Sequence, residues 1–236
     1  TTTGIWSGVS GAFNPNNTTL TSTYTPSPAE LTAGFADLIL TSTNNGACNQ
    51  VVDTVRILFT NSPFVNVGND VLICANNPTV AITATVNAGA TTGIWSGGNG
   101  TFNASNTSLS ITYIATPAEI TAGSANLVLT STNNGSCNPE KDSLQITFTA
   151  APVTFAGTDL ISCINNASTV LSGSVSGPTS TGYWSGGSGT YSPDSTFLNS
   201  TYTPSAAEIT AGSVSLFLNS TNNGNCNIVK DTVVIN

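Results

Sequence analysis

The sequence predicts an all-β chain of tandem sandwich repeats, on three observations. Trp6, Trp95 and Trp184 recur at an interval of 89 residues. The block Ser-Thr-Asn-Asn-Gly returns at 42–46, 131–135 and 220–224. Between turn signals, β-branched and small residues alternate with period two. Cys48, Cys137 and Cys226 keep the same register, as do Cys74 with Cys163 and Glu30, Glu119 and Glu208. A period of 89 exceeds the roughly 20–45 residues of a solenoid unit and suits one sandwich of roughly 100 residues.

Taking the second period in order, the first strand is expected near Val65–Cys74 and the second at Thr79–Val86. A third passes through Trp95, and a fourth covers Leu109–Thr112. Pro117-Ala118-Glu119-Ile120-Thr121, ended by Gly123, reads as one helical turn, with proline at its start and glycine past its end. Strands at Asn126–Thr130 and Ser143–Phe148 close the period. Gly97-Gly98-Asn99-Gly100, Asn133-Asn134-Gly135 and Asn76-Asn77-Pro78 supply the turns between them.

Asn61-Ser62-Pro63 and Ala150-Ala151-Pro152 read as short joints, which places domains at 61–149 and 150–236. Residues 1–60 then form a domain without its first strands, to be completed by something upstream, since open strand edges invite aggregation. Cys, Trp and Cys within one period resemble the immunoglobulin-like sandwich, whose core tryptophan lies beneath a bridge. Here Cys137 follows a turn and so belongs to a loop. Partners 63 residues apart, Cys74–Cys137 and Cys163–Cys226, are the expected disulfides, with Cys48 paired upstream. The other readings are 26-residue staples, Cys48–Cys74 and Cys137–Cys163, and free thiols packed as small hydrophobes. The staples span a closing and an opening strand, too far for the roughly 7 Å Cα limit of a disulfide.

Composition excludes several function classes. Three Lys plus Arg against eleven Asp plus Glu give a net charge of −8, which offers no cation cluster for nucleic acid or anionic lipid. Histidine is absent, and with it any histidine base or metal ligand. No apolar run approaches the roughly 20 residues of a spanning helix, so no membrane insertion is expected. Charged residues are only 6% of the chain, leaving a surface of Thr, Ser and Asn whose contacts salt does not screen.

The acidic residues repeat in register, which favours architecture over catalysis. No enzyme activity, cofactor or metal site is expected. Glu119 should cap backbone donors of its helical turn. Asp53, Asp142 and Asp231 should form turns before the closing strand. Asp70 and Asp159, near the joints, are the oxygen ligands a calcium ion would use, but they lack a cluster of further carboxylates. Trp6, Trp95 and Trp184 have two readings, core residues or exposed platforms for sugar rings. One per domain favours the core.

Gly-Ile-Trp-Ser-Gly-Gly-Asn-Gly-Thr-Phe at 93–102, Tyr-Thr-Pro-Ser-Ala-Ala-Glu-Ile-Thr-Ala-Gly at 202–212 and Ser-Thr-Asn-Asn-Gly-x-Cys-Asn resemble repeats of very large cell-surface adhesins of Bacteroidetes, of the flavobacterial gliding-motility type. The resemblance covers essentially the whole chain. It implies type IX secretion and an extracellular filament contacting a substratum. Its implied partners are neighbouring repeats, other copies in a filament, and surface glycans. It also implies O-glycosylation at Asp-Ser/Thr followed by an aliphatic residue or Thr, here Thr54, Ser143, Thr232 and Ser195. Turn chemistry explains the three repeated matches equally well.

Overall fold

The structure, a computed structural model, describes residues 2–236. The first repeat contributes β1 (Thr3–Ser7), β2 (Ala12–Asn14), β3 (Thr23–Thr25), α1 (Pro28–Ala33), β4 (Phe35–Thr43) and β5 (Val52–Leu58). The second runs β6 (Pro63–Asn66), β7 (Val71–Cys74), β8 (Thr79–Thr83), β9 (Thr85–Ala88), β10 (Thr92–Gly97), β11 (Thr101–Phe102), β12 (Ser110–Ile114), α2 (Pro117–Ala122), β13 (Ser124–Thr132) and β14 (Lys141–Thr149). The third has β15 (Val153–Phe155), β16 (Thr169–Val170), β17 (Ser174–Ser176), β18 (Gly182–Ser185), β19 (Thr190–Ser192), β20 (Thr201–Thr203), α3 (Ala206–Ala211), β21 (Val214–Ser220) and β22 (Lys230–Ile235).

In the second repeat one sheet has the order β10-β13-β14-β7 and another the order β11-β12-β8. This is the immunoglobulin arrangement, with the tryptophan strand beside the last two strands and the second strand paired across to the other sheet. Strand β7 lies parallel to β14, setting Val71 against Ile146 and Cys74 against Thr149. Alternation drives the layers together: Leu144 and Ile146 of β14 point inward to Trp95, Ile111, Tyr113, Leu127 and Leu129. Trp95 is 1% exposed and donates its indole N–H to Ser108 O at 2.9 Å. Trp184 repeats this in the third repeat, donating to Leu198 O.

Two expected strands are broken in the structure. Val65–Cys74 splits at Gly68, whose φ of 86° no strand residue adopts. Thr79–Val86 splits at Ala84, whose N–H turns to Leu109 O at 2.9 Å.

By internal contacts the chain divides into two compact units. One holds the described residues through 63 with 88–90 and 134–138, and the other holds 64–87, 91–133 and 139–236. In the first, β1-β4-β5 and β2-β3 form two small sheets. Val55 is 50% exposed where the equivalent Leu144 is 2% exposed, and Trp6 is half-buried.

Candidate functional site at the repeat junction

Each short helix anchors a buried network. Thr116 caps α2 by accepting from Glu119 N, and the Glu119 carboxylate returns to Thr116 N at 2.9 Å, closing a capping box. The same carboxylate accepts from Tyr113 OH at 2.6 Å and from Asn99 N at 2.7 Å, while Tyr113 OH accepts from Gly100 N. Gly98, at φ 63°, lies against that hydroxyl, so a Cβ there would displace it. Burial raises the Glu119 pKa, but the bonds from Tyr113, Thr116 and Asn99 outweigh it and hold the carboxylate below its usual range. Burial first, then the Glu119 bond, pushes Tyr113 up to about 12. Glu30 with Tyr24 and Glu208 with Tyr202 repeat the network. These glutamates are architectural, as their repetition implies.

The aspartates differ from expectation. Asp53, Asp142 and Asp231 lie within strands β5, β14 and β22, not in turns. Asp142 accepts from Val67 N at 3.0 Å, and Asp231 from Ala156 N at 2.8 Å. Each carboxylate pins the opening segment of its own repeat to the closing strand. Asp70 and Asp159 do the reverse, accepting from Gln145 N and Val234 N. Among the described residues no group of three or more His, Cys, Asp or Glu side chains comes together.

Of the four hydroxyls matching the glycosylation pattern, Thr54, Ser143 and Thr232 are exposed on strands. Ser195 is half-buried, its carbonyl accepting from Trp184 N at 2.7 Å. With Trp95 and Trp184 in the core, neither offers a face to a sugar ring.

The Ser-Thr-Asn-Asn-Gly loop is built the same way in all three repeats, and its product is a positioned cysteine. In the third repeat Ser220 Oγ accepts from Val229 N at 2.9 Å, and Thr221 Oγ1 donates to Thr181 Oγ1. Asn222 takes φ 54°, a left-handed conformation that asparagine tolerates, and its amide also donates to Thr181. Asn223 donates to Ser220 O, and Cys226 N closes the turn on Asn223 O at 3.0 Å. Ser42, Asn44, Asn45 and Cys48 make the equivalent bonds. Ser131, Asn133 and Cys137 do so too.

Cys226 is bonded to Cys74, with Cα atoms 4.9 Å apart and a sequence separation of 152. The expected Cys74–Cys137 and Cys163–Cys226 bridges are therefore wrong, and the Cys48–Cys74 and Cys137–Cys163 staples do not form either. Cys48, Cys137 and Cys163 are unbridged. The reason is strand direction. Cys137 precedes β14 whereas Cys74 sits beside its last residue, and a strand of that length spans about 26 Å. The loop of the following repeat reaches the Cys74 end instead.

Five hydrogen bonds of asparagine amides accompany this bridge. Asn76 Nδ2 donates to Asn227 O, while Asn227 N and Nδ2 donate to Asn76 Oδ1 and O, at 2.7–3.0 Å. Asn77 Nδ2 donates to Asn225 O, and Asn225 Nδ2 donates to Leu72 O. None involves a charge. Closing a loop of this length stabilises by about 5 kcal/mol through unfolded-chain entropy. Neutral hydrogen bonds add about 1 kcal/mol each.

Strand order and junction together define a tandem immunoglobulin-like repeat protein in which a strand of one repeat is bonded to a loop of the next. No protein-family model matches the chain, and no curated protein matches it. Among solved structures it is similar to the insect immune protein hemolin at 13% identity, covering 85% of this chain and 55% of that one, with TM-score 0.39. It is similar to Sidekick-1 immunoglobulin domains 1–5 at 11% identity, covering 99% of this chain and 53% of that one, with TM-score 0.36. Mouse protocadherin-24 EC1–3 matches at 12% identity over 99% of this chain and 89% of that one, with TM-score 0.38. The chain spans about half the length of the first two. Likeness at this level carries nothing about ligand or partner.

Proposed function

We propose that the chain is part of the shaft of a secreted cell-surface filament, with domains at 1–60, 61–149 and 150–236. It acts as an extended, disulfide-stabilised spacer, with adhesion arising from many weak contacts along the array. The observation that carries this reading is the Cys74–Cys226 junction, which fixes one repeat to the next by a covalent bond and five uncharged hydrogen bonds. A bridge of this kind persists outside the reducing cytosol. The carboxylates are spent on backbone donors, which supports a structural over a catalytic role. Secretion by the type IX route and a role in gliding follow from the sequence resemblance. Glycans on Thr54, Ser143, Thr232 and Ser195 belong to the same reading, and an intact mass equal to the bare polypeptide would dismiss them.

A second reading is a subunit of a polymerised filament, in which repeats associate between chains. Electron microscopy of non-reduced material separates the two. A thread one domain wide, beaded at about 35–45 Å, supports the shaft. A wider fibre with helical order supports the polymer.

A further inference from the structure

We propose that Cys48, Cys137 and Cys163 are half-sites of the bridge seen at Cys74–Cys226, each to be closed by a cysteine from a further repeat of this type. The resulting rule is that the opening-strand cysteine of every repeat bonds the loop cysteine of the next. The inference rests on the tandem-array part of the proposed function and not on adhesion.

Two sets of observations carry it. On the loop side, Cys137 occupies the setting of Cys226. Its thiol lies 3.5 Å from Asn61 O, where Cys226 Sγ lies 3.8 Å from the equivalent Ala150 O. The cysteine N–H closes the same turn in all three loops. Cys137 thus has the built surroundings of a bridged cysteine without the second sulfur. On the strand side, Cys163 is followed by Asn165 and Asn166, the equivalents of the Asn76 and Asn77 that grip the incoming loop. Ile161 and Ile164 beside it are 91% and 80% exposed. A loop docked as 223–227 docks on 72–77 would cover this edge. The occupant is therefore a Ser-Thr-Asn-Asn-Gly-x-Cys-Asn loop of a following repeat.

Closure proceeds by thiol–disulfide exchange with a small-molecule disulfide such as oxidised glutathione. One cysteine thiolate attacks the disulfide and expels a glutathione thiolate. The second cysteine thiolate then attacks the mixed disulfide and expels the other. Two protein thiols become one S–S bond, and one glutathione disulfide becomes two thiols.

The test adds a second copy of residues 148–236, in register, directly after Asn236, with Cys163→Ser in the added copy so that the native Cys163 alone reports. The chain is oxidised with glutathione disulfide, alkylated, digested without reduction and read by mass spectrometry. The expected result is a peptide joining Cys163 to the added copy of Cys226, with Cys48 and Cys137 still alkylated. The Cys74–Cys226 peptide in the same digest reports correct folding. Cys163 found alkylated, or joined to Cys137, overturns the proposal. Small-angle scattering distinguishes the failures. If the added repeat lengthens the particle but Cys163 stays alkylated, the bridging rule alone falls. If the particle does not lengthen, the array reading falls with it.

Discussion

At the residue scale the structure is held by carboxylates that answer backbone N–H groups. Glu119 satisfies Asn99 N and Thr116 N while accepting from Tyr113 OH. Glu119→Ala strands these donors and should destabilise by about 3 kcal/mol, measured as a shifted urea midpoint. The lowered glutamate pKa values give stability that is fully present above the unfolded value of 4.5 and lost as pH falls through the folded one. Glu30, held at about 2 chiefly by the Tyr24 hydroxyl, marks the lower edge. Thermal unfolding should therefore shift downward progressively between pH 4.5 and about 2. Tyr113 and Tyr202, both raised to about 12 by burial first, give the opposite limb. Their contribution is intact below pH 10 and lost as pH rises toward 12. A spectrophotometric titration should show both phenols ionising late. The capping role of Glu119 is legible in sequence, because Thr-x-x-Glu after a strand and before Gly123 is a local pattern. The role of Asp142 is not, since its partner, Val67 N, lies 75 residues away.

At the element scale the loop that carries each cysteine is a rigid presenting device. Asn222 has two tasks, a left-handed backbone and a hydrogen bond donated by its side-chain amide to Thr181 Oγ1. Asn222→Ala loses both and should cost about 2 kcal/mol. Asn222→Gly keeps the backbone and should recover roughly half of that, as urea titration of the two variants would show. The strands, helical turns and Trp95 core were readable from period, punctuation and once-per-repeat placement. The disulfide pairing was not. Spacing places Cys74 and Cys137 in one repeat, but only the parallel docking of β7 on β14 puts them at opposite ends of the closing strand. Parallel pairing leaves no short-range trace, because no hairpin turn announces it.

At the scale of the whole molecule, scarcity of charge and the covalent junction set behaviour. With charged residues at only 6%, unfolding midpoints should barely move between low and high salt. Cys74→Ser should lower the stability of the 64–236 region by about 5 kcal/mol, read as the difference in denaturant midpoint from the oxidised parent. Dithiothreitol should reproduce that loss in the parent and leave the variant unchanged.

The junction also decides where tension runs. When the two ends of the chain are pulled, force enters at residue 74 and leaves at residue 226 through two sulfur atoms, so the segment between them, a sequence separation of 152, bears no load. Single-molecule stretching of the oxidised chain should therefore show contour-length gain from the second and third repeats only for the residues outside the bridge, before Cys74 and after Cys226. With reductant present the hidden segment joins the load path, and about 500 Å of extra chain becomes available. Covalent bridges every repeat would make such a fibre nearly inextensible, its give confined to the short segments outside each loop.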